Sequence, residues 1–172
     1  MVNNANIFPK MNKKEIKSNF IEYHTTDKLS EKTQNLLSRA KEAASRAYAP
    51  YSKFQVGAAV ILEHNIILEA NNQENAAYPS GLCAERVAIF YANSKYPDSA
   101  VLSIAVTAIR DNKLVKEPIP PCGSCLQVLL ETERRFNNKI DIYLYAENKI
   151  IHARGVEQFL PYNFDIKSLR GD

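Results

Sequence analysis

All three cysteines of this 172-residue chain fall in two short motifs, Cys83-Ala84-Glu85-Arg86 and Pro121-Cys122-Gly123-Ser124-Cys125. No other feature constrains the fold as much, because two distant segments must meet if these thiols share one metal ion. A Cys-x-x-Cys pair with a third, distant Cys offers zinc three thiolates and leaves the fourth tetrahedral position open. Structural zinc sites close all four positions, whereas catalytic ones keep one for water. Glu85, two residues after the first ligand, is placed to take a proton from that water, so the pattern describes a site that generates hydroxide and manages its protons. Read alone, Cys-x-x-Cys also marks structural zinc ribbons and redox pairs. Here there is no fourth Cys, and none of His24, His64 and His152 stands at ligand spacing. A disulfide would strand an odd cysteine and leave Cys83-Ala84-Glu85 without a role.

Both motifs fit the beginnings of helices. After Leu82, the residues Cys83, Val87, Ala88 and Tyr91, with Ile89 and Phe90, predict a largely buried helix. Cys125, Leu126, Val128, Leu129 and Leu130 open a second, running to about Arg135. Cys122 and Cys125, three apart in a first turn, can point at one ion. The free N–H groups and positive dipole end of a helix N-terminus favour thiolate over thiol. Three thiolates on one zinc leave it net negative and a weak Lewis acid; the adjacent Arg86, as a donor to the sulfurs, is the natural correction.

The remainder predicts one α/β domain. Residues 1–28 form an extension: Asn3, Asn4, Asn6 and the lysines Lys10, Lys13, Lys14 and Lys17 predict a solvated arm, and Ile16, Phe20, Ile21 and Tyr23 a short strand or extended segment packed on the body. Residues 29–172 carry the domain. Ser30 is a candidate cap for a helix whose Leu36, Leu37, Ala40, Ala43, Ala44 and Ala47 make a small-residue face. Strands are expected at 54–62 and 66–70, joined by a turn at Glu63-His64-Asn65, and at 103–109, 140–145 and 150–154. Helices interleaved with five strands predict a three-layer α/β/α sandwich around a mixed five-stranded sheet. Net charge +3 is too small and too dispersed to point to nucleic acid. Three cysteines with none spare suit a reducing compartment, and without an apolar run of signal-peptide or membrane-spanning length the chain reads as cytoplasmic.

Together the metal motifs resemble those of zinc-dependent deaminases, which place a Glu two residues after the first ligand and follow with Pro-Cys-x-x-Cys. Within that superfamily the chain is similar to the small homotetrameric cytidine deaminases. The likeness extends to Ala49-Pro50-Tyr51-Ser52-Lys53-Phe54-Gln55-Val56-Gly57, to Asn72-Gln73-Glu74-Asn75-Ala76-Ala77-Tyr78 and to Phe159-Leu160-Pro161-Tyr162-Asn163-Phe164, in the family's order over about residues 33–165.

The resemblance implies hydrolytic deamination of cytidine and deoxycytidine to uridine and deoxyuridine, in pyrimidine salvage. It assigns one zinc to Cys83, Cys122 and Cys125, and the proton shuttle to Glu85. Phe54, a core residue by composition alone, becomes a contact of the pyrimidine. Asn72 and Glu74 project the same way from an extended loop; turn chemistry explains them equally, but the family uses this Asn-Gln73-Glu stretch for the sugar. The backbone N–H near Ala84 is implied to hold the base carbonyl oxygen, and Phe164 to close a neighbouring subunit's pocket. Tyr78 is open between pocket wall and core. Two rivals stand beside this reading. A blasticidin S deaminase shares both cysteine motifs but lacks the Asn-x-Glu-Asn stretch, and a silent zinc-stabilised binding module has no need of Glu85.

Overall fold

In a computed structural model that describes residues 12–170, the N-terminal part of the predicted arm, including Asn3, Asn4, Asn6 and Lys10, lies outside the described residues. The elements run β1 (Ile21–Tyr23), α1 (Glu31–Ser45), β2 (Gln55–Leu62), β3 (Ile67–Asn71), α2 (Ala84–Lys95), β4 (Val101–Arg110), β5 (Lys113–Leu114), α3 (Gly123–Phe136), β6 (Asp141–Tyr145), β7 (Ile150–Arg154) and a short α4 (Ile166–Arg170). The strands form one mixed sheet in the order β1-β7-β6-β4-β2-β3, with β5 pairing β4. Among the described strands only the β4–β6 pair is parallel, which fits the crossover through α3 that joins them.

Among the described residues the sheet has seven strands rather than the expected five, and both additions come from segments with weak local signals. Residues 21–23 of the extension pair with β7 as an edge strand. The two-residue β5 folds back on β4 through Asp111 and Asn112, both left-handed, in a region expected to be loop. Such a turn demands two successive positive φ angles, and Asp-Asn accepts them at modest cost.

Alternation along β2 explains the three layers. Ala58, Val60 and Leu62 face the cluster built with α2 and α3, including Ala88, Ile89, Leu129 and Leu130. Ala59 and Ile61 face the opposite side, where Leu36, Leu37 and Ala40 of α1 pack. Successive strand side chains point to opposite faces, so a strand covered on both sides needs apolar residues throughout. Ser30 caps α1, its hydroxyl accepting the N–H of Thr33 at 3.2 Å. At the far end of α3, Asn137 adopts the left-handed conformation (φ 48°) that ends the helix. The same layering aims the N-termini of α2 and α3, and the cysteines on them, at one place.

Candidate metal centre and active site

Cys83 and Cys122 are the N-cap residues of α2 and α3, and Cys125 lies in the first turn of α3. Neither cap sulfur accepts a backbone N–H of the helix it opens. They turn toward each other instead: the three Sγ atoms lie within 4.8 Å of one another, with Cys122 and Cys125 3.4 Å apart. Cys125 is wholly buried, Cys83 half-buried and Cys122 exposed. This donor set fits zinc: three sulfurs from two helix starts converge, and among the described residues no fourth ligand closes the site.

Crowding three thiols makes their protons interdependent. Cys83 is pushed down to about 5, chiefly by the hydrogen bond from the Cys125 thiol and further by Arg86, whose Nη2 stands 3.7 Å from its sulfur. Cys125 is pushed up, because it donates that hydrogen bond and because it is desolvated. Only a cation among them allows all three to ionise, which is the electrostatic case for a metal here.

Among the described residues, Glu85 is the only acidic side chain buried next to the sulfurs, 5% exposed in the first turn of α2. Burial raises its pKa above the ordinary carboxylate range; the charge on Cys83 adds to this, while its own N–H and the Cys125 thiol pull the other way. A carboxyl raised above its ordinary range holds a proton more readily than a free one, which suits it to receive and return protons. The amide of Ala84, also wholly buried, is one of the donors at a helix start that no intrahelical carbonyl can satisfy.

These groups open on a cavity of about 920 Å³ lined by Cys83, Glu85, Arg86 and Cys122. Phe54, Asn72, Gln73 and Glu74 line it as well, so the loop before β2 and the loop after β3 come together over the sulfurs. Asn72 does more bracing than its sequence position suggests. Its Oδ1 accepts the N–H of Val56 at 2.8 Å and its Nδ2 donates to the carbonyl of Phe54 at 3.0 Å, locking the backbone that leads from the aromatic residue into β2. Gln73 exchanges backbone hydrogen bonds with Leu82 while Asn72 and Glu74 on either side bond the backbone of Tyr48, and the Gln73 side chain donates to Asn71 Oδ1 at 2.6 Å. Glu74 accepts from the Ser52 hydroxyl and from the N–H groups of Tyr51 and Ser52, and these, the hydroxyl first, hold its pKa below the usual value. A carboxylate has about four acceptor positions, so one remains for a ligand hydroxyl.

Two aromatic residues take definite places. Tyr78 is 89% exposed and lines the cavity, which removes it from the core. Phe164 is more than half exposed and does not line the cavity of its own chain. One participant escaped the sequence reading altogether. Arg110, at the end of β4, lies over the Phe54 ring at 4.9 Å, lines the same cavity, and makes no side-chain hydrogen bond or ion pair with any other described residue. Its position 56 residues after Phe54 carries no local signal; only the β2–β4 pairing brings the two together.

Fold and site together define a zinc-dependent hydrolytic deaminase. A family model described as the cytidine and deoxycytidylate deaminase zinc-binding region matches residues 30–137, and the chain belongs to that family. It is 36% identical over 136 residues to a cytidine deaminase of Sporosarcina psychrophila, covering 79% of this chain and 93% of the relative. It is 41% identical over 98 residues to one from Halalkalibacterium halodurans, covering 57% and 70%. The crystal structure of a cytidine deaminase from Burkholderia pseudomallei superimposes with a TM-score of 0.66 at 31% identity, covering 79% of this chain and all of that one. Among the described residues no helix is long and apolar enough to cross a membrane.

Proposed function

We propose that this chain hydrolyses cytidine and deoxycytidine to uridine and deoxyuridine with release of ammonia, as a cytoplasmic enzyme of pyrimidine salvage. The observation that carries this is the buried Glu85 beside three converging sulfurs, opening on a cavity that Phe54 and Glu74 also line. Cys83, Cys122 and Cys125 would hold the metal, and zinc bound there supplies the Lewis acidity that lets water lose a proton near neutral pH.

Glu85 accepts that proton and delivers it to N3 of the base as C4 is attacked. It then carries a second proton to the departing amino group, so that water and the nucleoside yield the uracil carbonyl at C4 and ammonia in balance. Arg86 offsets negative charge on the sulfurs. The Ala84 N–H holds the base carbonyl oxygen, Phe54 lies against the pyrimidine, and Glu74 takes a sugar hydroxyl at its remaining acceptor position. Asn72 and Gln73 keep that wall in shape, with Asn72 retaining one amide hydrogen for the sugar. Residues 29–172 act as the catalytic domain and residues 1–28 as an extension. The chain works as a homotetramer in which Phe164 closes a neighbour's pocket; its exposure on an isolated chain supports this reading, since a large apolar side chain gains by being covered.

The test is Glu85→Gln, followed by loss of the cytosine ultraviolet band. Zinc content and nucleoside binding should persist while turnover falls by about 10²–10⁴-fold or more, the range for a lost acid–base group. Near-normal turnover would remove Glu85 from the reaction. Running the wild type on cytidine, deoxycytidine, cytosine, CMP and blasticidin S defines the substrate class.

A further inference from the structure

We propose that the extension ahead of the family domain is a clamp, with Phe20 as a positioning residue that acts through Phe159 on the segment ending at Phe164. The proposal rests on the reading of Phe164 as a pocket-closing residue. Residues 21–23 run antiparallel along the first three residues of β7, pairing Ile21 with His152, Glu22 with Ile151 and Tyr23 with Ile150. Beyond one end of β7 the Glu22 carboxylate lies 3.8 Å from Lys149 Nζ. Beyond the other end, the N–H of Asn19 donates to Gln158 Oε1 at 2.7 Å, and the Phe20 ring meets Phe159 edge-on, with centroids 5.0 Å apart.

The target of these contacts is the route to Phe164. From β7 the chain turns sharply at Gly155 (φ 91°), and Val156, Phe159 and Leu160 pack on the main core. At the far end, Gln127 of α3 donates to the Phe164 carbonyl at 2.9 Å, and Arg134 of α3 pairs with Asp165 at 3.2 Å. The segment is therefore held at one end by the extension and at the other by the helix that carries Cys122 and Cys125. Between these holds stand Tyr162, 87% exposed, and Phe164 itself. Phe20 does not line the cavity, so its influence on substrate must pass through Phe159. Tyr23 anchors the arm independently, packing on the cluster under α1, so loss of the Phe20 ring leaves β1 in place.

The experiment uses the full zinc-loaded chain with Phe20→Ala, Phe20→Leu and, in parallel, Phe164→Ala. Phe20→Ala should speed amide hydrogen exchange across 158–164 and raise KM for cytidine about 2- to 10-fold, the span of a lost aromatic pair. The maximal rate and zinc content should hold, and Phe20→Leu should restore most of the loss. If Phe20→Ala folds poorly, Gln158→Ala, which removes the acceptor for Asn19, should give the same exchange and KM signature. An unchanged KM in Phe164→Ala would defeat the pocket-closing reading, whereas exchange would still report the clamp. Unchanged exchange or unchanged KM in Phe20→Ala and Gln158→Ala, with Phe164→Ala impaired, would overturn the proposal.

Discussion

Replacing Gly57 by alanine should destabilise the protein through a single contact between β2 and α1. A Cβ at this position would lie 2.0 Å from the Ala40 carbonyl oxygen, 2.4 Å from the Ala44 nitrogen and 2.9 Å from the Ala44 Cα. All three atoms are backbone, so no rotamer change can relieve them. Real Cβ contacts essentially never fall below 3.0 Å, so α1 must retreat from β2 by about 1 Å. That retreat also loosens Leu36, Leu37, Ala40 and Ala44, all essentially unexposed. Overpacking costs about 1–3 kcal/mol in most cores, and a clash with rigid backbone belongs at the upper end. For a chain of this size about 3 kcal/mol lowers the melting temperature by roughly 6–12 °C. Thermal unfolding of the zinc-loaded protein, followed by circular dichroism, measures it. Gly123→Ala is the control, because a Cβ there meets nothing within 4 Å and the residue opens a helix. Its stability should stay within about 1 kcal/mol of wild type. A Gly57→Ala protein melting within about 1 °C of wild type would refute the packing argument.

Three other outcomes are expected. All three thiols should resist alkylation while zinc is bound and react after chelation, as counted by mass spectrometry; one freely reactive thiol in fully loaded protein would break the three-sulfur assignment. Glu74→Ala should weaken cytidine far more than free cytosine, by about 10- to 150-fold in kcat/KM if it loses a charged hydrogen bond of about 1.5–3 kcal/mol; equal losses would show that the carboxylate serves only the Ser52 loop. Arg110→Ala should raise KM for cytidine about 2- to 5-fold, the worth of an exposed cation–π contact that steadies Phe54, with Arg110→Lys intermediate; steady-state kinetics with no change would leave Arg110 a bystander.

Much of the centre was legible in the chain because its chemistry is written locally. The spacing of Cys122 and Cys125, the Glu two residues after Cys83, and the apolar runs that follow both motifs announce two helix starts with metal ligands on them. Periodicity likewise marked Leu36, Leu37, Ala40 and Ala44 as a buried face, and the turn at Glu63-His64-Asn65 marked the hairpin of β2 and β3. In each case the determinant lies within a few residues of its effect, where side-chain type and backbone geometry act directly.

Contacts between distant segments answer to a different cause. Phe20, Ile21 and Tyr23 allow a strand or a packed arm equally; the free edge of β7 decides, by offering N–H and C=O groups that need partners. Asn72 looked like a ligand for sugar, yet most of its amide is committed to the backbone around Phe54, because β2 and β3 bring those groups within reach. Arg110 and Phe54 gain a shared role only when antiparallel β2 and β4 set their ends side by side. Residue chemistry and local periodicity thus determined what the site is made of. Strand pairing decided which side chains share its walls, because hydrogen-bond register sets neighbours without regard to distance along the chain.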